Sequence, residues 1–206
     1  MRNLSRELLL ALSKTFKSER FAALSANVTV GQALLALTFL GVIMDNIKLY
    51  EIDARYISYL SGYAEHLFRN KKAGQNNERK YIGVVLYING YEYFAPLSSF
   101  KPKHSSMKES LDFLKIKKYA VINLNNMFPV PPDLCTYVDI NAQRNQKYKA
   151  LLLAEYRVIK FIQDKIRKNA KTLYNLKIKE GETTALAKRC NDFLLLEKAC
   201  NDYKSK

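Results

Sequence analysis

The chain has no tryptophan, only two histidines and only three cysteines among its 206 residues. Cys135, Cys190 and Cys200 are odd in number and far apart, without a CxxC pair, so a disulfide framework is excluded and a reducing, cytoplasmic compartment is expected. His66 and His104 belong to no HExxH motif and to no Cys/His cluster of zinc spacing. No dedicated metal site and no cofactor are therefore expected, although carboxylate-held magnesium stays open. Seven glycines and five prolines rule out collagen-like and low-complexity chains. Long apolar runs are scarce too. The nearly uncharged stretch Val28–Met44 spans about 17 residues and contains Gly31 and Gln32. It falls short of the ~20 residues of a spanning helix, so no stable membrane association is expected. Acids are few: 19 against 34 lysines and arginines, a net charge of +15. That excess selects polyanionic partners, nucleic acid first.

What is present divides at about residue 44. The segment Met1–Ile43 is a separate extension, read in three ways: an interfacial anchor, a helical appendage, or a start-site artefact with translation beginning at Met44. Without its five bases and two acids the remaining 44–206 still carries +12. The basic character therefore belongs to the main domain.

Within 44–206 the periods change along the chain. IKLYEI (Ile47–Ile52) reads as a strand, and Asp53 can cap a helix bearing Tyr56, Leu60, Tyr63 and Leu67 on one face. Arg69–Lys80 is a polar, basic loop. Tyr81–Ile88 is the clearest strand, and Asn89-Gly90 supplies the positive φ angles of a type I′ turn into YEYFAPL. Gly83 within that strand predicts a bulge or a close backbone approach. Phe113–Ile116 and Ala120–Leu124 read as strands about a Lys117-Lys118 turn, and Cys135–Ile140 as a last one. Then Tyr148, Leu152, Tyr156, Ile159, Ile162, Ile166, Ala170 and Leu173 recur at helical spacing over about 28 residues, predicting one long amphipathic helix with a basic outer face. Ala185–Cys200 predicts a final helix capped by Thr184. The order argues for α+β, with a small, strongly curved antiparallel sheet.

One loop stands out chemically. Ser98–His104 places two hydroxyls, two lysines and an imidazole within seven residues at the end of a strand. RNA cleavage through the ribose 2′-OH needs proton transfer and fixed donors for phosphorane charge, and these residue types supply both. Spacing alone favours a solvated basic turn. Tyr87, Tyr91 and Tyr93 fit either base stacking or cross-strand pairs, and Tyr56 lies on the apolar face of its helix.

Three ordered segments, IKLYEIDARYISYL, RKYIGVVLYINGYEYFAPLSSFKPKH and AVINLNNMFPVP, resemble the ToxN/AbiQ family of type III toxin–antitoxin toxins. The resemblance implies a Kid/MazF-like sheet or barrel with added helices. It also implies a metal-independent endoribonuclease, a 2′,3′-cyclic phosphate product and A-rich single-stranded substrates of cellular and phage origin. The partner it implies is a tandem-repeat RNA antitoxin, each unit a pseudoknot, in a closed protein–RNA assembly acting in abortive phage infection. By the same resemblance Ser99 is the catalytic serine, Ser98 its hydroxyl neighbour, Lys101 the lysine beyond it, Tyr56 an active-site tyrosine and Arg79 the cation before the [YF]-[IV]-G strand. Lys80, Lys101, Lys103, His104, Lys115 and Lys118 are the expected RNA contacts. Phe100 departs from the family's proline after the second serine, and Gln75–Asn77 lacks the tyrosine some members carry. Composition without these motifs would favour a noncatalytic RNA-binding protein.

Overall fold

Lys48–Ile52 makes the first strand, β1, with Leu49 and Ile52 buried. Asp53 ends it by accepting the Arg55 and Tyr56 N–H groups on Oδ1 at 2.7 and 3.1 Å, which turns the chain into helix α1 (Ala54–Leu60). This computed structural model describes residues 46–64, 67 and 79–204. The extension 1–43, the Met44 boundary, His66 and the Gln75–Asn77 segment lie outside the described residues. The described residues belong to one compact unit that begins at Asn46.

The hairpin follows its sequence signal. Strands β2 (Tyr81–Ile88) and β3 (Tyr91–Ser99) are joined by Asn89 at φ 52° and Gly90 at φ 82°. Their register runs Ile88↔Tyr91, Tyr87↔Glu92 and Leu86↔Tyr93, then shifts before Ile82↔Ala95. Gly83 sits in that shift, and a Cβ there would lie 2.3 Å from ring carbons of Phe94. Both readings of this glycine, irregularity and close approach, are realised together.

Five further pairings complete an antiparallel sheet with β4 (Phe113–Ile116), β5 (Ala120–Asn123), β6 (Phe128–Pro129) and β7 (Cys135–Tyr137). Its order is β4-β5-β3-β2-β1-β7, and β6 also pairs β3. β3 is the hub: Tyr93 and Phe94 pair with β6, whereas Leu97–Ser99 pair with β5. The path runs open from β4 to β7, so these pairings do not make the closed barrel expected from the resemblance.

The predicted long helix is two. α3 (Gln146–Phe161) and α4 (Gln163–Glu180) meet at Ile162, whose φ −104° and ψ 13° leave the helical region. No glycine or proline marks the break. It coincides with a tertiary anchor: Gln163 accepts the Ile47 N–H at 3.3 Å and its amide reaches Asn46 at 3.2 Å. The predicted last helix is also split, into α5 (Ala185–Arg189) and α6 (Phe193–Lys204). Between them the Asn191 N–H donates to the Asn125 carbonyl at 2.9 Å, and Asp192 caps the next helix by accepting the Leu195 N–H at 3.0 Å. A further single turn, α2 (Lys103–Ser106), follows β3.

Neighbouring β3 residues enter two different cores, as the period of two dictates. Tyr93, Ala95 and Leu97 join Leu152, Ile159, Ile166 and Leu173 of α3 and α4. Phe94 joins Tyr56, Ile57 and Leu60 of α1 with Leu196 and Cys200 of α6. The middle of β3 is thus enclosed on both faces, while its Ser99 end is exposed. Cys190 and Cys200 are buried and form no disulfide.

Candidate active site

The candidate site is built where β3 runs out. Leu97 donates its N–H to the Lys80 carbonyl at 3.0 Å and Pro96 lies opposite Tyr81, so the residues just before β2 lie along the end of β3. There an Arg79 Nη1–H donates to Ser98 Oγ at 3.0 Å. On the other side Ser98 pairs with Val121, and Val121 with Lys115. Ser98 and Lys115 therefore share a row across three strands, roughly 10 Å from end to end at ~4.8 Å per strand. Ser99, the next residue, faces the opposite way, pairs with Ala120 and is exposed.

The ladder continues one step past the strand. The Phe100 N–H donates to the Tyr119 carbonyl at 3.0 Å, which lays the loop against the β4–β5 turn. That turn holds Lys117 at φ 50°, with Lys117 and Lys118 exposed at its tip. Lys101 and Lys103 are exposed on the loop, and the Lys115 ammonium is fixed by the Ser105 carbonyl at 3.2 Å. The structure thus puts Ser98, Ser99, Lys101, Arg79, Lys103, Lys115 and Lys118 at one end of the sheet, with the Arg79–Ser98 pair and Lys115 on one face and the Ser99 side chain on the other. The sequence reading named no role for Lys117 or Tyr119 individually; their place beside Ser99 follows from the β3–β5 register, which only the paired sheet supplies.

His104 is turned inward, with 7% of its surface exposed. Its Nδ1 accepts the Lys101 N–H at 3.0 Å, and the backbone N–H of His104 donates to the Lys101 carbonyl at 2.8 Å. The ring lies between Phe100 and Phe113, with centroids 5.5 and 5.8 Å away. Burial, then the charges of Lys103, Lys101 and Lys115, hold its pKa below the usual histidine value. An imidazole that accepts at Nδ1 is neutral, with its proton on Nε2. As an expected RNA contact, His104 offers little surface.

Two other expected residues lie apart from this group. Lys80 is ion-paired with Glu51 across the β1–β2 strands, and only 10% of its side chain is exposed. Its charge is committed within the sheet rather than offered to RNA. Tyr56 is fully buried; its hydroxyl donates to the Pro129 carbonyl at 2.7 Å and its ring meets Tyr203 edge-on. Pro129 pairs with Tyr93, six residues from Ser99 along β3. At ~3.3 Å per residue that is about 20 Å of strand. The structure does not bring Tyr56 to the serine end. Tyr93 is likewise core: its hydroxyl donates to buried Glu197 at 2.7 Å, and Tyr174 donates to the same carboxylate at 2.9 Å. Glu155, also buried, has a carboxyl pushed up to about 7 by burial.

The assembled groups have one chemical competence in common. An exposed hydroxyl, a guanidinium held by a second hydroxyl, and several ammonium groups can seat a phosphodiester and stabilise added negative charge on it. Among the described residues no group of three or more His, Cys, Asp or Glu side chains gathers to hold a metal ion. Nor is any described helix long and apolar enough to cross a membrane.

Comparison with known proteins gives this geometry its context. The family model for toxin ToxN of the type III toxin–antitoxin system matches residues 48–201. The endoribonuclease ToxN of Bacillus thuringiensis subsp. kurstaki is 31% identical over 170 residues, covering 79% of this chain and 87% of the relative. A solved structure concerning selective toxin inhibition by a non-coding RNA pseudoknot is similar with a TM-score of 0.68 and 29% identity, over 79% of this chain and 100% of that one. Another, concerning a processed non-coding RNA that regulates a bacterial antiviral system, has a TM-score of 0.67 and 30% identity, over 75% of this chain and 98% of that one.

Proposed function

Because the chain belongs to the ToxN toxin family of type III toxin–antitoxin systems, we propose that it is an endoribonuclease working without a metal at the Ser99 end of β3. Single-stranded, A-rich RNA is its substrate. The observation that carries this reading is that one strand end holds the exposed Ser99, the Arg79–Ser98 pair on the neighbouring face and the exposed Lys101 two residues on.

The reaction this supports is transesterification. The ribose 2′-OH attacks the adjacent phosphorus, the bond to the 5′ oxygen breaks, and the products are a 2′,3′-cyclic phosphate and a 5′-hydroxyl. Charge builds on the non-bridging oxygens of the phosphorane. In this reading Arg79, held by Ser98, and Lys101 offset it, and the Ser99 hydroxyl supplies a hydrogen bond to the phosphate from the other face of the strand end. Lys103, Lys115 and Lys118 hold the flanking phosphates by charge. Tyr56, enclosed with its hydroxyl committed to Pro129, acts here as a core residue.

The partner that fits is a folded repeat RNA. By likeness to the RNA-inhibited relatives, a pseudoknot antitoxin covers this same cationic strand end in a closed protein–RNA assembly, in the bacterial cytoplasm. Release of the toxin during phage infection is the corresponding biological role.

The test is cleavage of an A-containing RNA oligonucleotide in excess EDTA, against the same oligonucleotide with single 2′-deoxy substitutions. Cleavage that persists in EDTA, stops at the deoxy position and leaves cyclic phosphate supports the reading. Activity lost to EDTA and restored by magnesium overturns the metal-independent mechanism. Tight RNA binding without any cleavage identifies a noncatalytic RNA-binding protein instead.

A further inference from the structure

Resting on that reading of the Ser99 end, we propose that His104 is a positioning residue: its neutral imidazole closes a ring with the Lys101 backbone and so fixes the catalytic lysine beside Ser99. The loop between β3 and α2 is short, with Phe100 half-buried and Lys101 and Pro102 exposed, and Lys103 at the start of α2 is exposed too. Hydrogen bonds order it. The Phe100 N–H is taken by the Tyr119 carbonyl, the Pro102 carbonyl by the Ser105 N–H, and the Lys101 carbonyl by the backbone N–H of His104. The Lys101 N–H is taken by a side chain, the His104 Nδ1.

The ring is itself held. Phe100 meets it edge-on from the loop and Phe113 lies against it from β4. A histidine whose role was to touch RNA would present its nitrogens to solvent; this one spends Nδ1 inside the loop. The KPKH spacing is the signature of the device, because it sets the imidazole three residues on, where its Nδ1 reaches back to the lysine N–H.

Protonation undoes it. An imidazolium carries hydrogen on both nitrogens, so Nδ1 can no longer accept from Lys101. The groups facing the ring add to the effect: Lys101 and Lys103 from the loop and Lys115 from β4 are all cations, and Phe100 and Phe113 are apolar. No acid compensates among these neighbours. The folded protein holds the neutral form, so the contribution is present above the ordinary histidine value and is lost as pH falls through the lowered one. Lys101 then loses its fixed place, and misplacement of a catalytic group by about 1 Å costs ~10²-fold in rate.

Three variants of the full chain separate this from a structural role. His104→Asn keeps an acceptor close to the Nδ1 position but does not titrate. His104→Gln carries its acceptor further out, and His104→Leu has none. Single-turnover cleavage is measured for each across pH 5–8 with substrate titrated. The Asn variant should keep kcat while its acid limb flattens. Leu and Gln should lose ~10²-fold in kcat, with KM little changed. In parallel, the ¹⁵N–¹H signal of the Lys101 amide in the unmodified protein should move with the histidine titration and lose exchange protection on its acid side. The proposal is overturned if Asn is as impaired as Leu, if Leu keeps wild-type kcat, or if the Lys101 amide ignores the titration. Should Leu fail to fold, the pH profile of Asn decides. Should the wild type cleave no RNA at all, the ribonuclease reading fails, and the amide titration still decides whether His104 holds Lys101.

Discussion

β3 carries hydroxyl groups near both ends and treats them oppositely. Near its start Tyr93 is enclosed between the sheet and α4, and its hydroxyl is consumed by Glu197. Beside it Tyr56 gives its hydroxyl to Pro129. At its finish Ser98 holds a guanidinium and Ser99 is open to solvent. The difference lies in cover. Helices α1, α4 and α6 pack against the first half from two cores, while the last residues lie between β5 and the residues before β2, and among the described residues no helix of either core covers Ser99. A hydroxyl sealed in a core stabilises; the same group at an uncovered strand end, ringed by cations, is free to meet a phosphate.

The largest effect should come from the open end. Ser99→Ala should lower cleavage ~10²–10³-fold, the usual cost of removing one transition-state donor, and leave the melting temperature unchanged. The same substitution with a lowered melting temperature would erase the contrast between the two ends. The enclosed middle should respond the other way. Gly83→Ala forces a methyl into the Phe94 ring and should cost about 3 kcal/mol of stability, the upper range for overpacking, with cleavage per folded molecule preserved. Denaturant unfolding alongside an active-site-normalised rate checks both halves of that statement.

Much of this contrast was legible in the sequence, and what was not has definite causes. The hairpin needed only alternation and Asn89-Gly90. Asp53 and Thr184 cap as their chemistry dictates. The serine–lysine loop stood out by composition, and the ToxN/AbiQ resemblance supplied its reading. The break at Ile162 was hidden because a continuous 3.6-residue period runs through it; a tertiary bond from Gln163 to the start of β1 marks the place. The split at Cys190–Asp192 was partly readable, since Asp192 before FLLL is a capping signal. Lys80 resembled its neighbour Arg79 by position, and only the paired sheet shows one committed to Glu51 on the β1 side and the other to Ser98 on the β3 side. His104 pointing inward depends on Phe113, nine residues away and on another strand.

Smaller effects sharpen the comparison further. Glu155 is an acid sealed into the covered side. Its folded pKa, raised from 4.5 to about 7, favours the protonated form. Its contribution to stability is therefore complete below 4.5 and lost as pH rises through 7. Glu155→Gln should raise stability at pH 8 by roughly 2 kcal/mol and change nothing at pH 4, as thermal unfolding at the two pH values will show. Lys101→Ala should lower the salt dependence of RNA binding by about one unit of slope, the loss of one phosphate contact, measured with a 2′-deoxy substrate that is bound but not cut. A matching decrease for Lys80→Ala would mean that its ion pair with Glu51 opens to RNA.

The division of labour along β3 is tested most directly by removing one hydroxyl from each region in the same assay. Single-turnover rate constants for Tyr56→Phe and Ser99→Ala are compared at equal folded fraction. The account predicts a wild-type rate constant for Tyr56→Phe and a loss of ~10²-fold or more for Ser99→Ala. A Tyr56→Phe enzyme as slow as Ser99→Ala, with its fold intact, would contradict it and place the buried tyrosine in the chemistry.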